Sequence, residues 1–293
     1  MNHVLTAIFA PGFFSSAPVH VALLIGGVVA VVSGIIGTFT VMRGQSYAGH
    51  ALADISVTGG SGSFLIGISP LWGFAGTSVA AAGIMDLIGV QRPRGRDLAT
   101  GIVRGAGLGL GALFLYWDTT HTTTTGATIT ILFGSMFTIN TSVIPVVAAF
   151  GLAAVGIVAA LYRPLLLSSA SSDLAAVRGV RVRATGALCL AAIALAVSLS
   201  ALTIGAILST ALLVGPAATA LRLTARPGLV MIWSAAIGLA ATWLGILLAF
   251  DSYYWPPARQ GWPVSFFVVA LVLLFYLLTL MRPAARGVKP GRG

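Results

Sequence analysis

Residues 20–42 read HVALLIGGVVAVVSGIIGTFTVM, and residues 43–54 directly after them read RGQSYAGHALAD. The first stretch carries no aspartate, glutamate, lysine or arginine. At about 1.5 Å of rise per residue, a helix of that length crosses a hydrocarbon core roughly 30 Å thick. Lipid offers no hydrogen bonds, so only helices and closed barrels span it. Barrel strands alternate apolar and polar residues with period two, and this stretch does not alternate. The reading is therefore an all-α polytopic membrane protein. Arg43 marks a cytoplasmic end by the positive-inside bias. The chain then turns straight back into apolar sequence, taking His50 and Asp54 with it.

The rest of the chain follows the same rule. Of 293 residues, 58% are hydrophobic and only 8% charged, against about 25% charged in a soluble domain. A net charge of +10 invites a nucleic-acid reading, but the distribution excludes it. All acids are aspartates, and fifteen arginines and Lys289 sit in short clusters between apolar runs. That pattern is membrane topology rather than a binding stripe, so no nucleic-acid partner is expected. The single cysteine, Cys189, lies in an apolar run and reads as a packed thiol.

Expected spans are 20–42, 47–68, 71–90, 101–117, a broken stretch over 128–162, then 184–202, 204–221, 229–250 and 264–281. Pro70 separates the second from the third. Gly134, Asn140 and Pro145 interrupt the long stretch, which reads as a broken or re-entrant helix followed by a full span. The runs 184–202 and 204–221 read as a tight hairpin. The basic segment QRPRGRD (91–97) is cytoplasmic, and the turn WDTTHTTTTG (117–126) and the aromatic loop DSYYWPPARQGWP (251–263) lie outside. About eight or nine crossings result. A single transmembrane domain is expected over 1–293. Residues 1–18 form an interfacial lead-in, 170–183 a cytoplasmic segment, and 282–293 a basic cytoplasmic tail. In that cytoplasmic segment, Ser171 or Ser172 caps a short helix and Gly179 ends it.

His50 and Asp54 stand four apart, on one face of a helix. Imidazole and carboxylate are the ligand pair preferred by zinc and manganese. An ionised side chain in hydrocarbon costs at least ~2.5 kcal/mol, so the pair must face a cavity or a partner. A structural His–Asp hydrogen bond is the alternative. Tyr47, one turn before His50, reads as interfacial. Asp86 reads as a partner for Arg92 or Arg94. Asp118, His121 and Asp251 read as solvated outer residues. Ser209 and Thr210 either line a route or bond back to their own helix.

Four stretches resemble, in order, the permease subunits of bacterial zinc, manganese and iron ABC importers. RGQSYAGHALAD (43–54) is similar to the family's second-helix signature. TITILFGSMF (128–137) resembles its LFG segment. SSDLAAVRGVRVR (171–183) resembles the short cytoplasmic helix that docks on the ATPase. IGAILSTALLVGPAATALRL (204–223) resembles the long block of small residues, leucines and proline. The resemblance implies import of a divalent transition metal past His50 and Asp54, with no permanently bound cofactor. It assigns ATPase coupling to Asp173, Leu174, Ala175, Val177 and Gly179. It implies an ATP-binding subunit, an extracytoplasmic metal-binding protein and a second permease copy, in the lipid of a bacterial cell membrane. One departure stands: the family order is aspartate then histidine, and here His50 precedes Asp54. The chain holds no G-x-x-x-x-G-K-[ST] loop, since its one lysine is Lys289, so it reads as a transport subunit and not an ATPase. The competing reading is a gradient-driven transporter using His50 and Asp54 as a proton or ion relay.

Overall fold

The computed structural model describes residues 13–88, 96–121, 126–134, 136–255 and 261–281. Among these the regular structure is helical throughout. In chain order the helices are α1 (Ala17–Met42), α2 (Ser46–Leu65), α3 (Pro70–Ile88) and α4 (Arg96–His121). Then come α5 (Ala127–Phe133), α6 (Ile144–Ala160), α7 (Tyr162–Ala170) and α8 (Ser172–Val177). The last four are α9 (Val182–Ile204), α10 (Ser209–Leu223), α11 (Pro227–Ser252) and α12 (Val264–Leu280).

Their ends follow from local chemistry. Prolines occupy the first turn of α1, α6 and α11, where the missing N–H leaves nothing unsatisfied. Gly44 closes α1 at φ 63° and Gly67 closes α2 at φ 71°. The second reversal ends α2 at Leu65, short of the expected Ile68.

Five stretches are long and apolar enough to cross a membrane by themselves: α1, α3, Thr141–Ala160, α9 and α11. Each coincides with an expected span. The remaining expected spans are α2, α4, α10 and α12. The hairpin reading needs correction. Ile204 belongs to α9, residues 205–208 form the turn, and α10 has only 15 residues. At about 1.5 Å per residue, α10 spans about 22 Å, less than a full hydrocarbon core.

Helix α9 organises the bundle. Its apolar window is 78% buried, against 22% for Thr141–Ala160. On one side α1 packs against α10 and α11, and α12 closes on both of these. On the other, α2 packs between α3 and α4. α9 touches α1, α2, α3 and α6 and so joins the two groups. Ser33 and Ser200 hydrogen-bond at 2.9 Å across the α1–α9 contact. Cys189 is fully buried in this core, as expected of a packed thiol.

The broken stretch is present where the sequence placed it. α5 stops at Gly134, short 3-10 turns cover Met136–Thr138 and Thr141–Val143, and α6 restarts at Ile144. Asn140 caps the second turn by accepting from the Ser142 amide at 3.1 Å. Gly134 does not break alone. It lies against Gly205, the break between α9 and α10, and the Ala206 amide donates to the Ile131 carbonyl at 3.0 Å. Two interrupted helices thus cross at their interruptions, where an amide of one serves a carbonyl of the other.

Candidate functional site

His50 and Asp54 lie in the second and third turns of α2. The i,i+4 spacing sets His50 Nε2 3.8 Å from Asp54 Oδ2. His50 Nδ1 is 3.3 Å from the Thr210 hydroxyl on α10. Thr210 therefore faces the site instead of bonding back to its own helix, whereas Ser209 does bond back, to the Ala206 carbonyl at 2.9 Å. His50 and Thr210 line an open-sided groove of 520 Å³ between α2, α10 and α12, whose other walls include Val214, Val272 and Tyr276.

The sequence reading missed Arg104. It set the bases between apolar runs, yet Arg104 lies inside α4, two turns from its start. Its Nε donates to Asp54 Oδ2 at 2.5 Å, and a terminal nitrogen donates to His50 Nε2 at 3.2 Å. The signal was there: an arginine within an apolar run needs a counter-charge, and so does an intramembrane aspartate. The guanidinium also sits 5.8 Å from the centre of the Tyr47 ring. Tyr47 is thus a cation–π floor for Arg104 as well as a part-exposed tyrosine.

These contacts fix the imidazole tautomer. Arginine only donates, so the neutral ring accepts at Nε2 and carries its proton on Nδ1, which donates to Thr210. Such an outer hydrogen bond orients an imidazole and turns Nε2 toward Asp54 and Arg104. Two ligands at about 2.1 Å from one ion, at the tetrahedral angle, stand roughly 3.4 Å apart. The observed 3.8 Å is within a few tenths of an ångström of that. Among the described residues, no group of three or more His, Cys, Asp or Glu converges. The site on one chain is thus one imidazole and one carboxylate, with Arg104 and Thr210 beside them.

The other expectations divide. Asp86 pairs with Arg183 of α9 at 3.7 Å, while Arg92 lies outside the described residues together with Arg94. Asp118 and Asp251 are buried, not solvated, although each lies in the last turn of its helix. The His121 side chain and the threonines after it lie outside the described residues.

The segment 171–183 folds as expected locally. Ser171 caps α8 by accepting from the Leu174 amide at 3.3 Å, Asp173 sits in the first turn, and Gly179 follows the helix at φ 78°. Leu174 and Val177 are 64% and 86% exposed, while Ala175 is buried inward. The helix thus presents an apolar pair outward from the bundle. Just ahead of it, Arg43 donates to Ser168 of α7 at 2.6 Å, tying the entry of α2 to the helix before α8.

The chain is similar to known proteins along most of its length. The chain is 28% identical over 277 residues to the manganese transport system membrane protein MntC of Listeria monocytogenes, covering 94% of this chain and 95% of the relative. It is 24% identical over 226 residues to the high-affinity zinc uptake system membrane protein ZnuB of Buchnera aphidicola, covering 77% and 86% of the two chains. The solved structure of PsaBC from Streptococcus pneumoniae in complex with Fab superposes with a TM-score of 0.78 at 24% identity, over 92% of this chain and 93% of the other. The chain thus shares the fold of that structure. The model of the ABC 3 transport family matches residues 17–282, and the chain belongs to that family.

Proposed function

We propose that this chain is the permease of an importer for a divalent transition metal (manganese, zinc or iron) and that His50 and Asp54 contact the ion in passage. The observation that carries the reading is the pair His50 Nε2 and Asp54 Oδ2, 3.8 Å apart, beside an open groove within the membrane bundle. The manganese and zinc systems named for its relatives support the substrate class. Both ligand types suit all three ions, so geometry and supply select among them. Family membership favours ATP-driven transport over a gradient-driven relay.

In this reading an ATP-binding subunit holds the nucleotide and docks on α8 through Asp173, Leu174, Ala175, Val177 and Gly179. An extracytoplasmic metal-binding protein delivers the ion at the opposite face. A second permease copy completes the path and the ion's ligand set. The helices of the two groups tilt about the crossing at Gly134 and Gly205, and rigid-body motion of α7 and α8 reaches α2 through Arg43 and Ser168.

The test is uptake into proteoliposomes containing the chain, its ATPase and its binding protein, with ATP inside or absent, across manganese, zinc and iron(II). His50→Ala is expected to abolish ATP-dependent uptake while the complex still elutes intact. Uptake at the wild-type rate in that variant would return His50 to a purely structural role. Replacing residues 173–179 with a glycine–serine stretch is expected to abolish co-purification with the ATPase, and retained binding would remove α8 from the interface.

A further inference from the structure

Arg104 holds the place that the travelling ion needs. Both lone pairs that an ion would use, on Asp54 Oδ2 and His50 Nε2, point at its guanidinium. We propose that Arg104 is a resident counter-cation: it occupies the ion position in the empty permease, leaves it when a divalent cation arrives, and returns to expel that ion. This rests on the assignment of His50 and Asp54 as ion ligands.

Three observations support the exchange. First, the backbone of α4 cannot drift from α2. A Cβ at Gly107 would run into Ile55, and Thr58 donates to the Gly107 carbonyl at 2.7 Å. Arg104 is therefore always within reach, and only its side chain moves. Second, that side chain has somewhere to go. It is 32% exposed, against 13% for Asp54, and the Tyr47 ring lies beside it as a second seat. Third, the charges rank the competitors. A carboxylate in a low-dielectric site needs a cation at all times. A monovalent ion matches the charge of arginine but not its fork of hydrogen bonds. A dication brings twice the charge and accepts both lone pairs as ligands. Arg104 thereby excludes monovalent ions and keeps dication binding loose enough to release.

The experiment measures ion binding without transport. The full chain in lipid nanodiscs is titrated with manganese(II), and bound ion is read by electron paramagnetic resonance. Arg104→Gln is expected to bind manganese at least about tenfold more tightly than wild type, equivalent to about 1.4 kcal/mol. Arg104→Lys keeps the charge but loses the fork of hydrogen bonds, and is expected to fall between wild type and Arg104→Gln. His50→Ala is expected to lose binding. Unchanged or weaker binding in Arg104→Gln, with binding still lost in His50→Ala, would overturn the counter-cation and leave the ligand site standing. Binding unaffected by His50→Ala would remove the site and the proposal together. A second measurement needs no variant at position 104. In wild type, saturating manganese is expected to speed modification of Arg104 by phenylglyoxal several-fold, as read by peptide mass spectrometry. An unchanged or slower rate would overturn the exchange.

Discussion

Gly205→Ala should leave almost no assembled permease in the membrane. Gly205 has φ 85° and ψ 159°, and Gly134 has φ 79° and ψ 172°. Both conformations belong to a region that essentially only glycine adopts, at a cost of about 1–3 kcal/mol for another residue. Here the space is closed too. A Cβ on Gly205 would collide with the Leu132 carbonyl, and one on Gly134 with the Thr203 carbonyl. These are backbone atoms, so no side chain can swing aside. Strain and collision together are expected to exceed about 3 kcal/mol, a large share of the roughly 5–15 kcal/mol that stabilises a typical fold. Size-exclusion chromatography of detergent-extracted protein measures the outcome. Gly109→Ala and Gly156→Ala are the comparators: both residues are helical with open space around them, and alanine favours a helix over glycine by about 1 kcal/mol. They should match or exceed wild type. Wild-type yield for Gly205→Ala would mean that the two breaks do not cross.

Asp54→Leu is expected to destabilise the chain, and adding Arg104→Met is expected to restore it without restoring uptake. Alone, Asp54→Leu strands the Arg104 charge. A stranded partner of a fully buried pair costs about 3–5 kcal/mol. With a third of Arg104 exposed, water offsets part of this, and about 2 kcal/mol is expected. In the double variant both positions become apolar, which is often neutral or stabilising. Thermal unfolding in detergent should therefore fall for the single variant and recover for the double, while metal uptake stays absent in both. Recovery of uptake along with stability would mean that the pair only holds α2 to α4.

Much of the fold was readable from short-range chemistry. The apolar runs, the break at Gly134, Asn140 and Pro145, and the cap at Ser171 all act within a few residues of themselves. The His50–Asp54 pair was readable for the same reason, because four residues of helix fix its geometry. The length of α10 was not, since only the turn at 205–208, held against α5, decides where that helix starts.

The sequence by itself determined the class of this protein: a helical membrane chain with an imidazole–carboxylate pair on one helix and a capped amphipathic segment between spans. Tertiary structure alone decided what that pair meets. Arg104 lies 50 residues from Asp54, and Thr210 lies 160 from His50. Charge neutrality in a low-dielectric bundle demands a partner for Asp54, and backbone hydrogen bonding demands one for each broken helix. Neither demand names the partner, because helix packing brings it from a distant part of the chain.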